Sequence, residues 1–323
     1  LLADPGHAHW VQLHWGEDQY LDRENVFYRM LLIDGLATQA RIYGNTPHLD
    51  LLRSQVESLA AELANSATCL LADFPAQTFP ADVAAAWHAI LRADVVLGTS
   101  HRQRVAEGLR GFTGVMAPGG GLPPYAWFDD PPRHTPVRGS ANAWLLHHAP
   151  LLWPEQAASW AGTFNRQFWQ ASRWRVGYRE FARNERHPHS GDIDSGPIIA
   201  GLGVAASAFG IGATRIQADA AKARPLALQA IALSWPLPNG RLLLPMVLSD
   251  IGHAPMLGEA ALLYNLSLAP SPSPAGGNGG PGPVPWLVWT ILAAQLFLGL
   301  SALVFAVRLF RPGSGSDARG SAD

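Results

Sequence analysis

Apolar positions along the first 268 residues recur every three or four places, the spacing that lines one face of a helix. In the stretch 49–64 that stripe is Leu52, Val56, Leu59 and Leu63. Comparable patterning predicts helices over 19–43, 81–97, 102–112, 141–153, 155–171, 197–216, 220–235 and 257–266. Pro80 and Pro154 open two of them, at the position where a missing N–H costs nothing. Between alternate helices lie short non-helical pieces at 121–128, 176–181 and 241–244, suited to small strands or hairpins on one face.

The helices alternate in character. Residues 197–216 carry almost no charge, whereas their neighbours are amphipathic with charged faces. A helix apolar all round is buried, and an amphipathic one covers it. An inner and an outer ring of helices explains the alternation better than an up-down bundle, whose members would all be amphipathic in the same manner. The expected fold class is all-α, an α/α toroid over residues 1–268 with short β-hairpins on one face. Nine or ten helices fall short of a full ring of six hairpins, so the ring is incomplete or a segment before Leu1 is missing. The chain opens Leu1-Leu2-Ala3-Asp4-Pro5 without methionine, as a fragment or a mature form does.

The pattern changes after position 268. Residues 269–285 are so rich in Pro, Gly and Ser that they read as a flexible linker. Residues 286–307 then run almost uninterrupted by polar side chains, and at 1.5 Å per residue span roughly 33 Å, enough for a bilayer core of about 30 Å. Trp286 and Trp289 sit where an interfacial belt is expected, and Arg308 and Arg311 follow at once. The expectation is a single-pass membrane protein with residues 308–323 cytoplasmic and the main domain outside.

Composition narrows the chemistry. A net charge of −2 argues against nucleic acid as a partner. Lys222 is the only lysine and the arginines are scattered, which points to base composition and not to a phosphate-binding surface. Cys69 stands alone, so an intrachain disulfide or a cysteine-ligated metal is excluded. Twelve tryptophans point to aromatic-lined pockets or a membrane-facing rim.

Four polar clusters are candidates for a site. In the segment 20–28, Asp22, Asn25 and Tyr28 are spaced along one side of a helix, next to Tyr20; the helix dipole alone would also favour Asp22 and Glu24 there. Ahead of the helix at 81–97, Gln77 and Phe79 sit in a loop placed to frame a central cavity, while Asp82 in the first turn has a capping role. Ser140 and Asn142 start another helix, as caps or as pocket residues. The segment 187–196 holds His187, His189, Asp192 and Asp194 ahead of a run of Gly, Ala and Ser. Asp192-x-Asp194-x-Gly196 lacks the remaining ligands of a calcium loop, and the histidines lack a helically spaced partner for zinc, so no metal is expected. Asp194 and Ser195 could cap the helix that follows. In the other reading Asp192 and Asp194 serve a pocket, with Glu180 as partner carboxylate, one group held protonated by apolar surroundings and another ionised. Gly201-x-Gly203-x-x-Ala206 matches the tail of a dinucleotide fingerprint but lies in no strand–helix alternation, so the glycines read as helix packing and no cofactor is expected.

Together YLDRENVFYRMLLIDGLA, FPAQTFPADV, RGSANAWLLHHAPLLWPEQ, DIDSGPIIAGLGVAASAFGIGA and GEAALLYNL resemble membrane-associated bacterial proteins with a linalool dehydratase/isomerase-like domain. The resemblance covers most of residues 18–268. It implies an α/α toroid with an apolar central cavity and, in the characterised branch, cofactor-free acid–base dehydration and isomerisation of a terpene alcohol. Relatives carry an early-helix Asp and Tyr that look like Asp22 and Tyr28, and pocket cysteines where this chain has Thr78 and Ser140. The reading that results is a lyase or isomerase acting on a small-molecule substrate, with Asp22, Tyr28, Asp192 and Asp194 catalytic. Tyr20, Asn25, Gln77, Phe79, Asn142 and Glu180 then line the substrate site. The alternatives are a carbohydrate-active enzyme with paired carboxylates and a catalytically inert binding domain.

Overall fold

A computed structural model describes residues 9–16, 20–44, 47–116, 121–129, 131–183, 185, 191–192, 194–251, 256–271 and 280–310. The chain is mostly helical. In order run α1 (His9–Trp15), α2 (Val26–Tyr43), α3 (Leu49–Asn65), β1 (Gln77–Thr78), α4 (Pro80–Leu97) and α5 (Arg102–Arg110), the last continuing into a π-helical turn, Gly111–Met116. Then come β2 (Trp127–Asp129), β3 (Pro132–His134), α6 (Gly139–Leu152), α7 (Pro154–Phe168), β4 (Trp169–Ala171) and β5 (Val176–Tyr178). The rest are β6 (Ile198–Ile199), β7 (Leu202–Gly203), α8 (Val204–Ile216), α9 (Ala220–Leu233), α10 (Leu243–Ile251), α11 (Leu257–Ser267) and α12 (Trp286–Phe310).

Alternate helices are neighbours in space: α2 packs on α4, α4 on α6, α6 on α8 and α8 on α11. The intervening helices cover them, α3 against α2 and α4, α7 against α6, and α9 against α8. The stripe expected on α3 is the one that faces inward, since Leu52, Val56, Leu59 and Leu63 are all fully buried. Small residues let the central helices approach closely. A Cβ on Gly210 would lie 2.3 Å from Tyr178 Cδ2, and one on Gly212 would lie 2.5 Å from His147 Cε1. The glycine run of α8 is therefore packing surface.

Two contacts show that α2 and α4 run parallel. At one end Asp73 Oδ1 accepts the Phe27 amide and Oδ2 the Phe79 amide, each at 2.8 Å, so one carboxylate bridges two helix N-termini. At the other end Arg92 Nη1 donates to Asp34 Oδ1 at 2.5 Å and Nη2 to Thr38 Oγ1 at 3.0 Å.

Several boundaries differ from the pattern-based expectation. The helix expected from position 19 begins only at Val26, because Glu24 and Asn25 adopt left-handed backbone (φ 44° and 47°). The expected helix 197–216 loses its first seven residues; 198–203 form the antiparallel β6–β7 hairpin, turned by Ala200 and Gly201 at φ 52° and 82°. Asp194 and Ser195 cap no helix with their side chains; the Ser195 amide donates to Asp192 Oδ1 at 3.0 Å and closes a local turn, while Ser195 O accepts the Ala205 amide in the first turn of α8 at 3.1 Å. The helix expected over 155–171 ends at Phe168, its last three residues becoming β4. The piece 241–244, expected as a small strand or hairpin, closes a turn with an isolated antiparallel bridge from Leu242 to Pro236 and then runs into α10, a helix the pattern did not separate from its surroundings, as it did not separate α1. The β1–β2–β3 sheet and the β4–β5 hairpin are antiparallel. β1 immediately precedes α4, β3 precedes α6, and β7 precedes α8.

α12 is 25 residues long with a mean hydropathy of 2.2 in its most apolar window, enough in length and composition to cross a membrane. Its start is not free of the domain. The Trp286 amide donates to Arg173 O (2.9 Å) and the Leu287 amide to Trp174 O (3.0 Å), and α12 packs on α9. Of the expected linker, residues 272–279 lie outside the described residues, while Gly282 is close-packed on Ala221 of α9.

Candidate functional site

The central helices line a solvent-open cavity of about 670 Å³, within the range of small-molecule sites. Each contributes one stripe at helical spacing. From α4 come Asp82, Ala85, His88, Ala89 and Arg92, and from α6 Ser140, Trp144 and His148. From α2 come Phe27, Met30, Leu31 and Asp34, and from α11 Leu257, Ala260, Ala261 and Tyr264. Phe74, Phe79 and Phe209 complete an apolar, aromatic wall.

Carboxylates gather at the end where α2, α4 and α6 begin. Asp82 lies in the first turn of α4, faces the cavity, and accepts the Trp144 indole N–H at 3.1 Å. Burial pushes its carboxyl up to about 7, against the pull of that indole hydrogen bond and helped by the charge of Asp194. Asp73, beside it, is also pushed up by burial and by Asp82, while the Phe79 and Phe27 amides pull it down. Both carboxyls are thus pushed toward the protonated form, Asp73 against two backbone donors and Asp82 against a single indole donor. Across the cavity Tyr125 donates its hydroxyl to Asp194 Oδ2 in a short hydrogen bond. Burial raises the Tyr125 phenol, and the hydrogen bond and charge of Asp194 raise it further, so it stays a donor.

A knot of charges aims that pair. Arg138, at the start of α6, is buried and binds Asp192 through Nη1 and Nη2 (2.7 and 2.9 Å) and Glu180 Oε1 through Nε (2.7 Å). Its guanidinium lies 4.2 Å from the centre of the Tyr125 ring. Glu180, fully buried just past β5, accepts the Ser140 hydroxyl at 2.7 Å and the Ser140 amide at 3.2 Å, and so caps α6 from another element. Burial raises Glu180, and Arg138 and Ser140 oppose it. At Asp192 burial also pushes upward, but the Arg138 and Ser195 hydrogen bonds outweigh it and bring the carboxyl to about 2. One arginine thus holds the Tyr125 ring by stacking and the Asp194 loop by a bidentate ion pair.

Histidines mark the far end. His88 Nδ1 and His148 Nδ1 lie 2.9 Å apart, and His147 Nε2 bonds Phe209 O at 2.6 Å. Burial, then Arg92, lowers His88 to about 4; burial, then His88, lowers His148 well below the usual value. Both rings are neutral at physiological pH, one donating and one accepting. The described residues hold no group of three or more side chains placed to bind a metal, and His187 and His189 lie outside them.

Of the residues expected in the site, Asp194, Asn25 and Phe79 line the cavity. The expected convergence of Asp22, Asp192 and Asp194 does not occur. Asp22 is exposed in the turn before α2, because the left-handed Glu24–Asn25 step turns the chain there, and Asp192 is drawn onto Arg138. Tyr28 packs edge-to-face on Tyr20 at 5.8 Å, in a separate cluster with Val11, Trp15 and Ala72. Gln77 pairs with Phe128 in the small sheet and lies outside the lining. The Asn142 amide donates to Pro123 O and Arg138 O, and Glu180 serves Arg138, so both support the wall from behind. The sequence reading gives Asp82 a helix-capping role and does not single out Tyr125, His88 and His148. The stripe 82, 85, 88–89, 92 on α4 was the signal available, since it puts Asp82 on the same face as His88 and Arg92. The sequence matches no protein-family model and no curated protein, so the chemistry of this cavity rests on its own geometry.

Proposed function

We propose that the chain is a membrane-anchored acid–base enzyme of the lyase/isomerase class, acting without a cofactor on a largely apolar alcohol held in this cavity. One observation carries the reading: Asp82, protonated near neutral pH, and Asp194, paired with Tyr125, reach the same apolar chamber from different elements. Asp82 gives its proton to the substrate hydroxyl, the C–O bond breaks, and water leaves. Asp194 takes a proton from the neighbouring carbon, and the electrons of that C–H bond form the double bond. The two carboxyls finish with exchanged protonation and recover through solvent or the reverse step, and re-addition of water at the far end of an allylic system would make the reaction an isomerisation. The rings of Trp144, Tyr125 and Phe79 favour positive charge developing at the carbon.

The packing of α2, α4, α6 and α8 on one another, covered by α3, α7 and α9, supports an open α/α toroid with the cavity at its axis. The aromatic wall supports an apolar substrate over a carbohydrate, which would call for polar groups along the whole cleft. We further propose that α12 spans the membrane with its Arg308 end cytoplasmic and the cavity domain outside.

The test is to incubate the full chain in nanodiscs with a panel of terpene alcohols in isotopically labelled water. Loss of hydroxyl, or label gained by exchange, is measured by mass spectrometry. The parent should exchange label and Asp82→Asn should not. No difference between the two for any alcohol, in protein shown to be folded, would sink the proposal.

A further inference from the structure

The span α12 begins against one feature of the domain, the tight turn of the β4–β5 hairpin. Backbone hydrogen bonds from Trp286 and Leu287 end on Arg173 and Trp174 at the tip of that turn. Ser172 shapes the tip, its hydroxyl accepting the amides of Trp174 and Arg175 at 3.2 and 3.1 Å. The hairpin tip and the first turn of the span are therefore joined backbone to backbone. Around it lies an apolar, basic patch: Trp174 is 47% exposed, Trp286 61%, Trp289 59% and Ile199 50%, with Arg173 exposed between them. Arg175 donates to Ala200 O at 3.0 Å and ties the β6–β7 turn, hence Ile199, to the same surface.

From this geometry we propose that the β4–β5 tip, with Trp174, Arg173 and Ile199, is a second membrane contact that seats the domain directly on the lipid headgroups. The proposal rests on reading α12 as a membrane span. If the bilayer begins at Trp286, two backbone hydrogen bonds hold Trp174 at the same depth. That is the level where an indole, half apolar and half polar, is most stable, and where arginine meets anionic headgroups. Continuity with the span selects the bilayer as the occupant. A domain tethered by a loose linker would leave these apolar rings exposed to water. Seating also fixes the domain's orientation, since β5 leads within two residues to Glu180 and the Arg138 knot.

Depth-dependent quenching tests it on the full chain in phosphatidylcholine–phosphatidylserine vesicles. Cys69 is buried and leaves single introduced cysteines open to labelling with a polarity-sensitive fluorophore. Labels go at Trp174→Cys, with Arg173→Cys as a second position on the tip, at Val95→Cys on the exposed end of α4, and at Leu298→Cys within α12. The Trp174 and Arg173 labels should be quenched several-fold more by shallow spin-labelled lipid than by aqueous iodide, with the order reversed at Val95. Tip labels that behave like the Val95 label, while Leu298 is quenched by deep spin labels, overturn this proposal and leave the span intact. Tip labels shielded from both lipid and iodide overturn it in favour of a second copy of the chain. A Leu298 label that no lipid quenches overturns the span reading itself.

Discussion

Replacing Asp82 with Asn separates the energetic state of the cavity from its packing. Asn is nearly the same size and keeps an oxygen for the Trp144 indole, but it cannot ionise. In the folded chain the Asp82 carboxyl titrates at about 7, against an ordinary value of 3.8. That difference of about 3 units corresponds to about 4 kcal/mol at about 1.36 kcal/mol per unit. The sign follows from proton uptake. The folded state holds this proton more tightly than the unfolded chain, so stability falls as pH rises through the unfolded value near 4, and the loss is complete above about 7. Asp82→Asn escapes the loss. It should equal the parent near pH 4 and exceed it by up to about 4 kcal/mol near pH 8, read as a higher urea midpoint for the full chain in detergent. Carboxyls remote from Asp82 cancel in the difference between parent and variant; Asp73, which the Asp82 charge pushes up, is relieved in the variant and shifts the difference in the same direction. The same substitution removes the proposed proton donor, so activity should vanish as stability rises. Equal urea midpoints near pH 8, or a fully active Asp82→Asn, would refute the reasoning.

Arg138→Met strands Glu180 as an unpaired buried charge and should cost about 3–5 kcal/mol; adding Glu180→Gln should return part of it, measured by denaturant titration. Asp192, half-exposed and lowered to about 2, contributes stability that is full above about 4 and lost as pH falls toward 2. An acid titration in which parent and Asp192→Asn coincide throughout would contradict the ion pair. Gly210→Ala places a methyl 2.3 Å from the Tyr178 ring, itself stacked on Phe164, and should destabilise by about 1–3 kcal/mol. A Tm equal to that of the parent would show that Tyr178 can give way. Tyr125→Phe keeps the ring under Arg138 and removes the donor to Asp194. It should lower turnover while leaving the urea midpoint within about 1 kcal/mol of the parent.

The helices were legible wherever a stripe of large apolar residues had one neighbour to face. On α3 the spacing named the buried residues correctly. Legibility failed at backbone steps with no hydrophobic signature. Glu24, Asn25 and Ala200 take left-handed conformations that a non-glycine residue does not advertise, and they decide where α2 begins and where α8 is preceded by a hairpin. The acidic clusters failed for a related reason. Spacing placed Asp22, Asn25 and Tyr28 on one helical side, but that side is no helix at Asp22, and Tyr28 faces Tyr20.

Periodicity and apolar length are local properties, carried by residues a few places apart. The string of helices, the long apolar run of α12, and the lack of a second cysteine for an intrachain disulfide could therefore be read directly from the amino-acid order. The site could not. Tyr125 and Asp194 are 69 positions apart, and Trp144 and Asp82 are 62 apart. Asp82 has the same sequence signature whether it caps a helix or faces a cavity, and it does the second because α6 brings Trp144 against it. Asp192 and Asp194 stand two places apart with opposite fates, one bound to Arg138 and one lining the chamber. Which carboxyl keeps its proton depends on burial and on the donors that reach it, and both arise only when distant helices pack together.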